Sequence, residues 1–537
     1  MESDTEPSTP VSTLEATPET EYENRIANLE AAPTQSTTEY FSWQQLADIS
    51  ERLTGLGEQY GALTTVCTGD YVALGTERGS VVVTDYLGRV KMALGSAASA
   101  AYGAVSALAF SADHMVLVAG YAQGFVVVWD WAKGTTAAVS RPRQASDSPD
   151  AAGHPAGTAI TCVGFIGASR HRYISGSGGG LVLYHHIVRR LLTTMSTQPL
   201  ASDGGVLFEA AALARGTHAC VTDDLGLVAI LTDSSITIVK TRHGVEQQYR
   251  AGFQTAEGTR RRTVARRPYA GNVAWQSAQR IERPATTPAE SDAMLPKLAY
   301  SWGAHIHILA VHLDYNVSGN GTALGSAAPR VQFERETEWT AIEDVVFCRW
   351  IDPTTLLYMT QSQRVFVFET QFAQETEIST APPARIVGRA WVTLTTGTEA
   401  EPSYAAAMCV HRRRLFAHCG SALYVGRLLM WAERLELLAT QGQLVDAIAL
   451  ATGFYQARTG QIVVGLPRVQ RAGDAGQLRR QALVGGRLAD LMRRALQSTL
   501  AADRTPRATD AEVRALATVC VQACLALSDM QILFTDV

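Results

Sequence analysis

The feature that most constrains the fold is a repeated unit in which a glycine precedes a short apolar strand ending on a polar residue. The unit occurs four times, at Gly79–Asp85, Gly124–Asp130, Gly179–His185 and Gly226–Thr232. The first glycines are 45, 55 and 47 residues apart, close to the roughly 40–45 residues of a propeller blade. A glycine supplies the positive φ that a tight hairpin turn requires. The repeat therefore predicts successive antiparallel blades.

The second unit shows a whole blade. A strand over 104–110 leads through a turn at 111–113 to a strand over 115–119, and a further turn leads to the strand that ends on Trp129 and Asp130. This order is the layout of a WD repeat. Further strand clusters lie at 295–313, 340–370 and 403–428. The predicted fold class is all-β, a seven-bladed WD40-like β-propeller; six or eight blades are the alternatives.

Four segments are predicted along the chain. Residues 1–38 are rich in Ser, Thr, Pro and Glu and are expected to form a disordered N-terminal tail. Residues 39–57 are expected to form an amphipathic helix, either docked on the next domain or bound by a separate partner. The propeller is expected over 58–428, and the start of an α-solenoid over 429–537. The helix prediction is based on Tyr40, Phe41, Trp43, Leu46, Ile49 and Leu53, among which spacings of three and four place apolar side chains on one helix face.

The predicted solenoid begins with two helices after Trp431, joined near Gly442. A further pair is expected over 475–500, and another helix from Asp510 to Leu527. Two polar insertions, 141–157 and 253–292, are expected to be surface loops. The second carries a basic run, which is more often a solvated loop than a site for phosphate or acidic lipid. Its arginines are Arg260, Arg261, Arg262, Arg266 and Arg267.

No enzyme motif is found. The chain lacks a phosphate loop of the G-x-x-x-x-G-K type, a zinc-binding H-E-x-x-H and a G-x-S-x-G nucleophile turn. The glycine cluster at 175–180 precedes a strand, so a hairpin turn is favoured over a phosphate site. Adjacent strand residues His185 and His186 face opposite ways, whereas His305 and His307 share a face without a visible third ligand. No catalytic, cofactor-binding or metal-binding residue is predicted.

Composition narrows the classes of partner. The formal net charge of −5 provides no overall attraction for nucleic acid. Eight scattered cysteines without a C-x-x-C pair are typical of buried thiols in a reducing compartment. The acidic first residues do not form a signal peptide, and no apolar run reaches membrane-spanning length. A cytoplasmic protein with peripheral membrane association is expected, in which the sequons at Asn316 and Asn320 remain unmodified.

Several segments together resemble the vacuolar protein sorting-associated protein 8 family of the CORVET endosomal tethering complex. They are 103–130 in blade 2, the His154–Ala159 run, the strand leading to Trp302-Gly303, and Trp431–Leu438 with its continuation to Pro467. The resemblance spans most of 60–470. Family members carry a longer solenoid and a terminal RING domain, so the resemblance also implies that this sequence is truncated or that its lineage has lost those parts.

The resemblance implies a non-enzymatic subunit of a vesicle-tethering complex. Its expected partners are other tether subunits and an early-endosomal Rab GTPase in its GTP form, at the endosomal membrane before fusion. A HOPS-type late-endosomal or vacuolar tether subunit and a generic WD-repeat scaffold are the alternatives. A propeller enzyme, a different class, requires convergent acidic or metal-binding residues at the central channel. Which propeller face binds which partner is not predicted.

Overall fold

The structure is a computed structural model. It describes residues 41–95, 101–144, 146–147, 152–189, 193–201, 206–214, 225–242, 244–252, 270–280, 293–314, 330–370, 373–378, 386, 406–419, 422–457, 463–467, 469, 475–500 and 509–528. The predicted tail at 1–38 lies outside these residues.

Seven antiparallel four-stranded sheets form the blades of the propeller. Blade 1 consists of β2 (Leu63–Thr68), β3 (Val72–Thr76), β4 (Val81–Thr84) and β5 (Val90–Leu94). Blade 2 consists of β6 (Val105–Phe110), β7 (Val116–Tyr121), β8 (Val126–Asp130) and β9 (Thr135–Ser140). Blade 3 consists of β10 (Ile160–Phe165), β11 (Arg172–Ser177), β12 (Val182–Arg189) and β13 (Thr193–Ala201). Blade 4 consists of β14 (Leu207–Ala212), β15 (Leu227–Thr232), β16 (Ser235–Lys240) and β17 (Glu246–Gly252).

The remaining blades complete the set. Blade 5 consists of β18 (Gly271–Gln276), β21 (Lys297–Trp302), β22 (His305–Asp314) and β23 (Arg330–Thr340), with a small hairpin of β19 (Gln279–Arg280) and β20 (Ala293–Met294) inserted. Blade 6 consists of β24 (Val345–Asp352), β25 (Thr355–Thr360), β26 (Val365–Glu369) and β27 (Gln374–Ile378). Blade 7 consists of β28 (Met408–His411), β29 (Arg414–Cys419), β30 (Ala422–Leu428) and β1 (Phe41–Gln45).

The first strand of each blade lies at the centre of the ring. Each of these inner strands contacts the inner strands of both neighbouring blades, and β28 contacts β2, so the seven blades close into a ring. Middle strands such as β3 and β4 are buried along their whole length because another blade covers each face. This burial explains why they are continuous Val, Ala and Leu runs rather than alternating strands. The prediction of a seven-bladed propeller is confirmed.

The turn glycines behave as predicted in the first blades but not in blade 4. Gly79 and Gly124 lie between the second and third strands at φ of 79° and 87°. In blade 3 the positive φ belongs to Gly180 rather than Gly179. Gly226, at φ 69°, precedes the second strand of blade 4 instead of the third. The fourth repeat is therefore one strand out of phase, because the turn before β16 uses Asp233 and Ser234 without a glycine.

The predicted helix over 39–57 is wrong in its first half. Phe41–Gln45 is a strand that pairs with β30 from Phe41 opposite Leu428 to Gln45 opposite Tyr424, so it forms the outer strand of blade 7. The helix, α1, spans Ala47–Tyr60. Ile49 is 1% exposed and packs with side chains of blades 1 and 7, so the helix is docked on the propeller.

Two predicted loops contain more structure than expected. The inner strand of blade 5, Gly271–Gln276, lies within the segment 253–292 that was expected to be a surface loop. In the segment 141–157, the Arg143 N–H donates to the His154 carbonyl at 2.7 Å, and the Ala156 N–H donates to the Arg143 carbonyl. His154 is fully buried. Part of this insertion therefore folds back onto blades 2 and 3.

Four helices follow blade 7, namely α2 (Trp431–Thr440), α3 (Leu444–Gln456), α4 (Ala475–Leu500) and α5 (Asp510–Leu527). The pair of helices expected over 475–500 is one continuous helix. Helices α2 to α5 share one apolar core, in which Ile448, Leu488 and Cys520 are fully buried. In the described part of the chain, no helix has both the length and the apolar character needed to cross a bilayer.

Candidate functional site

The central channel is lined by the inner strands of all seven blades and has a volume of about 390 Å³. Its wall mixes small, hydroxyl and thiol side chains, as in Thr65, Ser106 and Cys162, with two tryptophans, Trp275 and Trp350. Among the described lining residues, Glu209 is the single carboxylate.

Glu209 and Arg349 form an ion pair in the channel wall that links three blades. Arg349, on the inner strand of blade 6, donates two hydrogen bonds to the Glu209 carboxylate on blade 4. Between them, blade 5 contributes the Val273 N–H, which donates to Glu209 at 2.7 Å, and the Val273 carbonyl, which accepts from Arg349 at 3.2 Å. Burial alone lowers the pKa of Arg349, but the charge and hydrogen bonds of Glu209 outweigh it and raise that pKa.

The channel thiols are poor nucleophiles. Burial raises the pKa of Cys67 to about 11, and those of Cys162 and Cys409 to about 12. At neutral pH these thiols remain protonated, and the thiolate is the reactive form. Because Glu209 is also occupied by Arg349 and Val273, the described channel wall offers no convergent set of acids for hydrolysis.

A buried polar network crosses blade 3. The Ser175 hydroxyl lies 2.7 Å from His154 Nε2 and 2.7 Å from His185 Nε2, and His185 Nδ1 lies 3.1 Å from the Thr197 hydroxyl. These four residues come from the loop before the blade and from its second, third and fourth strands. Burial lowers the pKa of His154 and of His185 to about 3, so both rings are neutral.

The environment of His154 Nδ1 decides which atoms donate and which accept in this network. Among the described residues, His154 Nδ1 is buried and has no hydrogen-bond partner. A buried N–H without an acceptor is rarer and costlier than an unused acceptor, so Nδ1 is the unprotonated nitrogen. His154 Nε2–H then donates to Ser175, the Ser175 hydroxyl donates to His185, and His185 Nδ1–H donates to Thr197. The His154–Ala159 run singled out in the sequence thus has a structural role at its first residue.

Turns between first and second strands meet on one face of the ring, where charged side chains link adjacent blades. Arg170 of blade 3 pairs with Asp113 of blade 2. His114 Nδ1 of blade 2 lies 3.0 Å from Asp70 of blade 1, and Arg412 of blade 7 lies 3.4 Å from the same carboxylate. The hydrogen bond from His114 is the largest influence that lowers the pKa of Asp70. We name this row of pairs the charged turn face.

The charged turn face continues into the helical region. Arg413 lies 3.3 Å from Glu433 of α2 and 4.0 Å from Asp352 of blade 6. Glu433 also accepts a hydrogen bond from the Met430 N–H at 3.0 Å and so caps the first turn of α2. The Trp431–Leu438 segment therefore attaches the helices to the propeller, with the Arg434 guanidinium buried over the Phe454 ring at 5.6 Å.

The four histidines that the sequence analysis weighed as metal ligands do not come together with other ligands in the described part of the chain. His185 is buried in the blade 3 network, and its neighbour His186 faces the other way. His305 contacts the Thr340 hydroxyl at 3.1 Å, and His307 lies 3.4 Å from Glu338. Across the described ranges, no group of three or more His, Cys, Asp or Glu side chains is arranged to hold a metal ion. The basic run at 260–267 and both sequons lie outside those ranges.

Glu209, Arg349 and Glu369 were not predicted from the sequence. Glu209 and Arg349 are 140 residues apart and meet only when blades 4 and 6 flank blade 5. Glu369 meets its partner Gly465 across 96 residues. A charged residue within an otherwise apolar strand is a signal for such sites, but it does not identify the partner.

Comparison with known proteins places the propeller in a family. The family model described as the Vps8 beta-propeller matches residues 39–429. Two curated relatives, both named vacuolar protein sorting-associated protein 8 homolog, are each 22% identical. The Mus musculus protein aligns over 452 residues and the Homo sapiens protein over 454. Each alignment covers 80% of this chain and 28% of the relative, so this chain spans less than a third of their length.

Solved structures similar to this chain are more distant. The Cps50 (Swd1) beta-propeller domain of Myceliophteria thermophila is 13% identical, with a TM-score of 0.41 over 68% of this chain and 95% of that domain. A chain of the mitotic checkpoint complex is 15% identical, with a TM-score of 0.39 over 74% of this chain and 96% of that chain. The family model covers most of the chain and all seven blades, and on that match the chain belongs to the Vps8 beta-propeller family.

Proposed function

We propose that this protein is a non-catalytic subunit of a CORVET-like endosomal tethering complex, in which it binds an early-endosomal Rab GTPase and other tether subunits. It would act at the cytoplasmic face of endosomes, as a peripheral protein, to promote docking and fusion and so vacuolar or lysosomal protein transport. The observation that carries the proposal is the family match over the whole propeller, 39–429.

The physical character of the molecule supports a binding role. A closed ring of blades is rigid and offers loops on two faces, and a helical extension adds a further surface. In the channel, Glu209 is neutralised by Arg349 and the thiols are protonated, which favours binding over covalent chemistry. The net charge of −5 favours protein partners over nucleic acid.

The experiment is depletion of the protein from the cells that make it, with early and late endocytic steps scored separately. We expect small unfused early endosomes to accumulate, and cargo delivery to the vacuole or lysosome to slow. Fusion of late endosomes with the vacuole, measured with preloaded late compartments, is expected to remain intact. A defect restricted to that late step would favour the HOPS-type alternative. Normal fusion at both steps would refute a tethering role.

A further inference from the structure

Glu369 lies at the contact between the propeller and the helical region. It ends β26, the third strand of blade 6, and is 4% exposed. One carboxylate oxygen accepts a hydrogen bond from the Gly465 N–H, in the loop that connects α3 to α4. The other oxygen, Oε2, is buried and has no hydrogen-bond partner among the described residues. Of the two carboxyl oxygens of Glu369, therefore, only one has a hydrogen-bond partner among the described residues.

The loop 463–467 joins the two apolar cores of the molecule. Val464 is fully buried among side chains of blades 6 and 7, whereas Val463 and Leu466 belong to the helical core. The Trp431 N–H donates to the Val464 carbonyl at 3.3 Å. Gly465 has a φ of 89°, and a Cβ atom there would lie 2.9 Å from the Trp431 ring. The loop therefore packs closely against Trp431 at Gly465, and this position directs the Gly465 N–H at Glu369.

Among the residues that the structure describes, the charged groups around Glu369 do not neutralise it. Asp352, on the same blade, adds a second acid to the site. Arg413 of blade 7 is shared between Asp352, 4.0 Å away, and Glu433 of α2, 3.3 Å away. The loop 463–467 itself contains no ionisable side chain. Burial, and to a lesser extent Asp352, raise the pKa of Glu369 to about 7 against the opposing Gly465 hydrogen bond.

We propose that Glu369 is a proton-controlled latch that sets how firmly the helical region is held on the propeller. When Glu369 is protonated, it still accepts from Gly465 and carries no buried charge. When it ionises, a charge with one unpaired oxygen is left in an apolar contact, which is unfavourable. The docked arrangement is then weakened, and the loop 463–467 opens more often.

The direction of the pH dependence follows from the carboxyl group. Its pKa is near 4.3 when exposed and about 7 when docked, so docking binds a proton. Docking is most favourable below the pKa of the exposed carboxyl. As pH rises from that pKa to the pKa of the docked carboxyl, the docking equilibrium constant falls by up to about tenfold per pH unit. Above the docked value the weakening is complete.

Amide hydrogen exchange of the loop 463–467 tests the proposal in the whole chain at pH 6 and pH 8. Because intrinsic exchange also depends on pH, the readout is the protection ratio of wild type to Glu369→Gln at the same pH. Gln keeps the acceptor oxygen and is neutral at both pH values. We expect the wild type to lose about tenfold in protection relative to the variant between pH 6 and pH 8, because the exposed carboxyl is ionised at both pH values whereas the docked carboxyl ionises only near pH 7. A ratio that does not change with pH would overturn the latch.

Two further variants keep the result interpretable. Glu343→Gln makes the same substitution at a partly exposed glutamate just before blade 6, which accepts a hydrogen bond from the Ser362 N–H. Its protection ratio to wild type is expected to be constant. Asp352→Asn keeps an oxygen that can accept the hydrogen bond from the Thr354 N–H, but it removes the negative charge next to Glu369. It should shift the midpoint of the wild-type pH profile to lower pH. An unchanged midpoint would contradict the assigned site, and circular dichroism confirms that each variant is folded.

Discussion

At Ser175 a single hydroxyl serves two buried imidazoles, and each ring depends on the proton position of the other. His154 donates to Ser175, which donates to His185, so the network has one direction through blade 3. The His185 ring also stacks on Tyr173 with centroids 4.6 Å apart. Side chains from two strands and the preceding loop are therefore held in one arrangement, and a change at the centre affects all of them.

Replacing Ser175 with alanine is expected to destabilise the propeller by about 2–3 kcal/mol, because a buried donor and a buried acceptor both lose their partner. Chemical denaturation followed by tryptophan fluorescence measures the change. The matched control is Ser362→Ala, whose exposed hydroxyl lies 3.2 Å from Thr360 and should change the stability by less than about 0.5 kcal/mol. Equal effects of the two substitutions would contradict the assigned network.

The buried histidines predict loss of stability in mild acid. His154 and His185 have pKa values of about 3 when folded, against about 6.5 when exposed. Unfolding then takes up protons below pH 6.5, so each ring lowers the free energy of unfolding by up to about 1.4 kcal/mol per pH unit between 6.5 and 3. Urea denaturation at pH 7 and pH 5 measures this slope. His154→Gln should have a shallower slope, and an identical slope would contradict the prediction.

At the scale of elements, β1 shows why a local pattern can mislead. Phe41 and Trp43 alternate as in a strand, and Leu46 and Ile49 continue the series at helical spacing. Extending the helical spacing of the second half back over residues 41–45 predicts one helix over both halves. In the structure, β30 has an edge that residues 41–45 complete, so tertiary pairing decides the first half. The helix begins only at Ala47.

Truncation separates the role of β1 from that of the tail. A chain starting at Glu39 retains the closing strand and is expected to unfold at the wild-type denaturant midpoint. A chain starting at Ala47 leaves the edge of β30 open and is expected to lose several kcal/mol and to aggregate. Urea denaturation and size-exclusion chromatography compare the two. A wild-type midpoint for the shorter chain would contradict closure by β1.

Repeated local features made most of the fold predictable. The turns at Gly79 and Gly124 and the apolar strands after them predict blades, because each hairpin is specified within a few residues. Gly226 fits the same spacing by coincidence, since it precedes a different strand of its blade. The candidate site was not predictable, because the Glu209–Arg349 pair depends on the order and closure of three blades.

Across the whole molecule, the two ends of the propeller chain meet in blade 7. Phe41 pairs with Leu428, so the chain enters the ring beside the point where it leaves for α2. In the neighbouring part of the ring, Glu209 and Arg349 link blades 4, 5 and 6. The ring is thus stabilised by backbone pairing at its closure in blade 7 and by a partly buried ion pair across blades 4 to 6.

Arg349→Ala is expected to cost about 3 kcal/mol, the lower end for a buried pair, because it leaves the Glu209 charge uncompensated and Arg349 is partly exposed. Adding Glu209→Gln is expected to recover part of that loss, since the unpaired charge is removed. Thermal denaturation of the single and double variants measures the coupling. A double variant less stable than Arg349→Ala would contradict a role in charge compensation.

The most direct test of the proposed function is a binding titration of the purified chain against an early-endosomal Rab in its GTP and GDP forms, with a late-endosomal Rab in parallel. We expect binding to the GTP-loaded early Rab that is at least about tenfold tighter than to the other forms, about 1.4 kcal/mol in binding free energy. Equal affinity for both nucleotide states, or preference for the late Rab, would contradict that function.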